Sequence, residues 1–219
     1  MCINEDDDTK TNCRTEICAD SGRKTIVDIR NPVDSILDGL CQTTAEFIRM
    51  NDPHKLITPN MITTAGLIMG LIALAMIISK KYLLAFVFFW LYYFLDCLDG
   101  YYARRYDMVT QVGDYYDHFR DIFITTSACF LIYYHLQTPR EKTIFLIIII
   151  VMVVAMLTHF GCQELYSSIQ ENNDCLALLS SLIHHKEYIK FTKYFGSGTF
   201  ILVVSLFILY LNSANSNIN

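Results

Sequence analysis

From Asp96 to Asp121 the chain reads D-C-L-D-G-Y-Y-A-R-R-Y-D-M-V-T-Q-V-G-D-Y-Y-D-H-F-R-D. Asp96 and Asp99 close a run of apolar and aromatic residues that begins at Tyr82, and Asp117 and Asp121 precede a second run, Ile122 to Gln137. A carboxylate at membrane depth costs about 2.5–3.5 kcal/mol even on the mildest scale. Four of them in one short stretch do not stay ionised without a counter-charge. Bound metal is the counter-charge this pattern suggests, and metal points to phosphate chemistry.

Helical spacing organises the carboxylates. Asp96, Asp99, Gly100 and Ala103 fall at i, i+3, i+4 and i+7, and Gly113, Asp117 and Asp121 at i, i+4 and i+8, so each set shares one helix face. Gly100, Ala103 and Gly113 are small, which allows two such faces to approach closely. The four carboxylates then converge on one site. Oxygen-only ligands select hard cations, Mg²⁺ or Mn²⁺, and two adjacent ions suit displacement at phosphorus. A plainer reading has the Asp residues pairing only with Arg104, Arg105 and Arg120.

Around this stretch lies a chain of 219 residues, 53% of them hydrophobic, with net charge −5 and a mean hydropathy of +0.32. The charge gives no reason to expect a nucleic-acid partner. The eight cysteines are scattered without metal-ligand spacing and read as free, small hydrophobes. No short apolar segment with a basic flank opens the chain, so a cleaved signal peptide is not expected. Residues 1–30 are polar, with an acidic run at Glu5–Asp8, and read as a disordered tail. Asn31-Pro32 is a helix start. Apolar Val33, Ile36, Leu37, Leu40, Phe47 and Ile48 then form a helical stripe, with Asp34, Asp38, Glu46 and Arg49 off it. Residues 31–50 are thus an amphipathic helix, lying on the membrane surface or packed on the protein.

The expected fold is an all-α membrane bundle of five to six transmembrane helices occupying residues 58–212. The clear spans are Met61–Ser79, Tyr82–Arg105, Gly113–Gln137, Thr143–Gln163 and Tyr194–Leu211, with a doubtful sixth between Cys175 and Ile189. Pro139–Lys142 reads as a tight charged turn. Lys and Arg collect on one side of the membrane at Arg30, Arg49, Lys55, Arg104, Arg105, Lys186, Lys190 and Lys193. The other side has Lys80, Lys81, Arg140 and Lys142. The Asp cluster is therefore expected to face the cytosol.

The string resembles the signature of the CDP-alcohol phosphatidyltransferases (phosphotransferases), D-x2-D-G-x2-A-R-x8-G-x3-D-x3-D. Asp96, Asp99, Gly100, Ala103, Arg104, Gly113, Asp117 and Asp121 match all eight of its fixed positions. Thr58-Pro59-Asn60 with Thr63 resembles the family's T-P-N-x-x-T at the first transmembrane helix. The resemblance implies that Asp96, Asp99, Asp117 and Asp121 hold two Mg²⁺ or Mn²⁺ ions, with Asp121 also the general base. It implies that Asn60, Thr63, Gly100, Ala103, Arg104 and Thr110 contact CDP, Arg104 facing the diphosphate, while Gly113 serves helix packing. The reaction implied is attack of a hydroxyl on a CDP-alcohol with release of CMP, in phospholipid biosynthesis. The partners are then CDP-alcohols, lipid or small polar alcohols and membrane lipids, and a homodimer is compatible with the chain.

Asp117-His118 and Arg104-Arg105 are similar to choline- and ethanolamine-phosphotransferases. The short chain is closer to synthases that take CDP-diacylglycerol, so donor and acceptor stay open. Two other classes compete. A Mg²⁺-dependent membrane prenyltransferase wants Asp-rich motifs in separate halves of a longer bundle. A divalent-cation transporter or channel wants acids at mid-membrane on several helices. His159, His184 and His185 lie outside any motif and read as structural or interfacial.

Overall fold

A computed structural model describes residues 30–52, 54, 56–166 and 189–216. Among these residues the protein is all-helical. Its helices are α1 (Pro32–Asn51), α2 (Pro59–Ile78), α3 (Tyr82–Arg105), α4 (Gln111–His135), α5 (Pro139–Tyr166) and α6 (Ser197–Ser216). A single turn at Ile189–Thr192 and a 3-10 turn at Lys193–Phe195 lead into α6. The expected tail before Arg30 and the doubtful sixth span lie outside the described residues, except at Ile189.

Local chemistry sets the helix ends. Asn31 caps α1, its Oδ1 accepting from the Val33 amide at 2.9 Å, with Pro32 in the first turn and Arg49 in the last. At the other end the Asp52 carboxylate accepts from the Ile57 amide at 2.6 Å, which turns the chain into α2. Hydrogen bonds from the Ile57 and Leu56 amides hold that carboxyl below its usual range. α3 stops where Asp107 takes a left-handed φ of 54° and the Met108 amide donates back to Ala103 O at 2.8 Å. Thr110 caps α4 through its hydroxyl, which accepts from the Gly113 amide at 3.1 Å.

One expected turn is helix instead. Pro139–Lys142 forms the first turn of α5. Thr138 Oγ1 accepts from the Glu141 amide at 3.2 Å and Glu141 Oε2 accepts from the Thr138 amide at 2.9 Å. This is a capping box with Pro at the first helical position.

Among the described residues, four stretches are long and apolar enough to cross a membrane: Pro59–Ile78, Tyr82–Arg105, Pro139–Cys162 and Lys190–Asn215. The protein is a multi-pass integral membrane protein. α4 is as long, but Asp114, Asp117, Arg120 and Asp121 occupy its first three turns. Its apolar part, Ile122–His135, reaches only about 21 Å at 1.5 Å per residue. It is nonetheless held in the bundle, burying Ile124, Ala128 and Ile132.

α3 is the central element, packed on α1, α2 and α6, while α4 packs on α2 and α6. The main core joins Ala73 and Ile77 of α2, Ala85 and Phe89 of α3, Ala128 of α4, and Val204 and Ile208 of α6. Small residues at these contacts let helices approach closely, the way apolar helices associate in lipid.

One face of α1 packs on the protein. Cys41 and Ala45 pack on Ile62, Leu98, Tyr101 and Tyr102 of α2 and α3, while Ile36, Leu40, Phe47 and Met50 are exposed and form an apolar face suited to the membrane surface. Asp34 and Asp38, which lie off the apolar stripe, turn toward the protein. Arg30 pairs with Asp38 at 2.6 Å and the Tyr93 hydroxyl donates to Asp34. Partners on α3 and before α1 satisfy these acids, so α1 docks through a polar face that the apolar stripe does not predict. The described cysteines Cys41, Cys97, Cys129 and Cys162 are free. His159 is buried in α5 with Nδ1 3.4 Å from Thr192 Oγ1, a structural position as expected.

Candidate metal and substrate site

The end of α3 and the start of α4 bring the four carboxylates together. Their side chains grade outward, with 5% of Asp99 exposed, 20% of Asp96, 29% of Asp117 and 36% of Asp121. Asp121 is therefore the member most open to an incoming substrate. Oxygens of Asp96, Asp99 and Asp117 lie within 4.8 Å of one another. That is an all-oxygen set suited to a hard divalent cation, so the residues present fit such an ion.

The centre of the cluster contains Arg120, whose side chain is fully buried. Its Nη2 pairs with Asp96, with Asp117 at 2.5 Å and with Asp121 at 2.8 Å. Its Nη1 pairs with Asp99 at 3.0 Å, and its Nε donates to Asp121 Oδ1 at 3.1 Å. The plainer pairing considered from sequence is thus present for Arg120 and coexists with convergence of the carboxylates. Losing one partner of such a buried set costs about 3–5 kcal/mol, because uncompensated charge is left behind.

Neighbouring helices fix the carboxylates further. The Thr63 hydroxyl, buried on α2, donates to Asp99 Oδ2 at 2.7 Å. The Tyr92 hydroxyl donates to Asp121 Oδ1 at 2.7 Å, and the Tyr92 ring lies 5.5 Å from the Arg120 guanidinium carbon. Thr63, expected among the CDP contacts, sits beneath the cluster and orients Asp99.

The remaining expected residues form a rim. A Cβ on Gly113 would stand 2.8 Å from Asn60 Oδ1 and 2.9 Å from Thr110 Oγ1, so only glycine allows this close approach. Asn60, Thr110 and Gly113 thereby form one group, with Asn60 and Thr110 exposed. The Arg104 guanidinium folds over Gly100, its Nη1 3.1 Å from where a Cβ would be. Ala103 is half-buried one turn beyond. His118 is on the outside of α4, with Nδ1 2.8 Å from Asp114 O, and makes no bond to the cluster.

Tyr92 and Gly66 escaped the sequence reading, and so did the central place of Arg120. Signals existed. Tyr92, Asp96 and Asp99 stand at i, i+4 and i+7, and Gly66 follows Thr63 by one helical step. A Cβ on Gly66 would come within 3.2 Å of Arg120 Nη1, so Gly66 makes room for the guanidinium.

Residues 56–218 match the CDP-alcohol phosphatidyltransferase family, and over this stretch, most of its length, the chain belongs to that family. The protein is accordingly a CDP-alcohol phosphotransferase, an enzyme of the class that transfers from a CDP-alcohol with release of CMP. No curated protein matches the chain.

Proposed function

We propose that the protein makes a phospholipid by transferring the phosphatidyl group of CDP-diacylglycerol to a small polar alcohol. The observation that carries the reading is the convergence of Asp96, Asp99, Asp117 and Asp121 from two helices. The donor choice rests on His118. The likeness of Asp117-His118 to amino-alcohol enzymes loses weight when that imidazole turns to the Asp114 carbonyl and leaves the cluster. α4 also exposes Val112, Tyr115, Phe119 and Ile122 on the face opposite its carboxylates, so the site is one helix away from lipid.

In this reading Asp96, Asp99 and Asp117 hold a Mg²⁺ or Mn²⁺ ion, which when bound supplies charge neutralisation at the diphosphate. Asn60, Thr110 and the backbone at Gly100, Ala103 and Gly113 receive the nucleotide. Arg104, folded over Gly100, faces the diphosphate. Asp121 takes the proton of the acceptor hydroxyl. Its Oδ1 is held by Tyr92 and Arg120, which leaves Oδ2 for that proton. The acceptor oxygen bonds to the phosphatidyl phosphorus, the bond from that phosphorus to the bridging oxygen breaks, and CMP leaves with the electron pair. The site faces the cytosol, where the Lys and Arg excess is expected.

The test supplies the purified protein with Mn²⁺ and, separately, CDP-diacylglycerol, CDP-choline or CDP-ethanolamine together with candidate alcohols, and measures CMP. CMP from CDP-diacylglycerol is the expected result. CMP only from the amino-alcohol donors reverses the donor assignment, and CMP from none removes the reading.

A further inference from the structure

Arg120 has no part in the reaction just proposed beyond holding Asp121, yet it is the most fully engaged side chain of the site. Gly66 leaves room for it, the Thr63 carbonyl accepts from Nη1 at 3.4 Å, and the Tyr92 ring lies beside it. Three of its nitrogens are bonded within the cluster. Such an arrangement is built into the bundle by four helical positions on α2, α3 and α4.

We propose that the Arg120 guanidinium is a permanent substitute for one of two cations, so that the cluster takes a single divalent ion, on Asp96, Asp99 and Asp117. The inference rests on the metal reading above and narrows it. Two-metal phosphoryl-transfer sites set their ions about 3.5–4 Å apart with carboxylates between them. Here the space between Asp121 and the other three carboxylates is held by a guanidinium. Asp121 Oδ1 already receives Tyr92 at 2.7 Å and Arg120 at 2.8 and 3.1 Å. Asp121 is also outside the group whose oxygens come within 4.8 Å of one another. Arg120 reaches one oxygen of each carboxylate, and the oxygens of Asp96, Asp99 and Asp117 that lie within 4.8 Å of one another offer a place for one ion. A fixed positive charge at this distance repels a second dication. Unlike a metal, the guanidinium cannot be chelated away, and it cannot lose its proton.

The experiment is a count of Mn²⁺ bound per chain on purified full-length protein, by equilibrium dialysis with metal analysis, joined to the electron paramagnetic resonance spectrum of the bound ion. The wild-type protein is expected to bind one Mn²⁺ with the six-line spectrum of an isolated ion. Arg120→Gln, which removes the charge at similar volume, is expected to bind two with an exchange-broadened spectrum, and Arg120→Lys one. Two ions on the wild-type chain overturn the proposal while leaving the metal reading intact. One ion on a folded Arg120→Gln also overturns it. No ion at all on the wild-type chain overturns both readings. Should Arg120→Gln fail to fold, the wild-type count and spectrum decide.

Discussion

Tyr92→Phe tests whether the environment of Asp121 matters to turnover. Tyr92 is buried in α3 and gives Asp121 Oδ1 a hydrogen bond of 2.7 Å. Phenylalanine keeps the ring, its packing on Phe89 and its place beside Arg120, so the substitution removes one O–H and little else. A hydrogen bond to a charged group is worth about 1.5–3 kcal/mol. Asp121 keeps two bonds from Arg120 on the same oxygen, which puts the loss at the lower end, about 1.5 kcal/mol. If that energy aims the second oxygen at the acceptor hydroxyl, kcat falls about tenfold, at 1.36 kcal/mol per decade. KM for the CDP donor should hold, because Asn60, Thr110 and Arg104 are away from Tyr92. The assay is CMP release across donor concentrations, with the melting temperature in detergent as a control for folding. A kcat within twofold of wild type, or a raised KM at unchanged kcat, would refute the assignment of Tyr92 as the positioning residue of Asp121.

Asp121→Asn should retain nucleotide binding and lose turnover by orders of magnitude, since an amide cannot accept the proton; near-normal CMP release would move the base elsewhere. Chelation should abolish activity reversibly, and transfer that continues undiminished in excess EDTA would sink the metal reading. Gly66→Val should lower the melting temperature by the equivalent of about 1–3 kcal/mol, because even the first added carbon meets Arg120 Nη1 at 3.2 Å; an unchanged melting point would show that the guanidinium is free to move. Burial holds the Asp34 carboxyl above its ordinary range despite Tyr93 and Arg30. The folded chain therefore binds that proton more tightly than the unfolded one, and its stability falls as pH rises from about 4 through the raised value. Asp34→Asn should remove that fall in melting temperature against pH, and parallel curves for variant and wild type would exclude Asp34 as its source.

Much of the bundle is legible because lipid imposes it. Long charge-free runs such as Met61–Ser79 have no alternative but helix, since every backbone polar group must be satisfied within the segment. Asn31-Pro32 announces α1 equally well, as a cap and a fixed φ. The errors fall where two signals compete. Charge and proline at Pro139–Lys142 look like a loop until Thr138 and Glu141 are seen as reciprocal caps. Asp34 and Asp38 look like solvent residues on a stripe argument, because that argument ranks a face by its own hydrophobicity. It has no means of knowing that Tyr93 and Arg30 wait opposite.

The same limit explains why the Asp residues of the site and their pairing with Arg120 were visible, and the burial of Arg120 at their centre was not. Periodicity on one helix tells which residues share a face, and that was enough to place Asp96 with Asp99 and Asp117 with Asp121. It does not tell what comes to rest between two faces when they close. Arg120 is adjacent to Asp121 in sequence and three positions from Asp117, so on α4 alone it reads as a local surface pair of little worth. Only the approach of α2, through Gly66, and of α3, through Asp96 and Asp99, turns that pair into a buried five-member cluster. The family signature leaves position 120 unspecified as well. A pattern of fixed residues therefore cannot reveal what stands there. The geometry can, because a fully buried guanidinium with four carboxylate partners leaves less room and less negative charge for metal than four aspartates alone would.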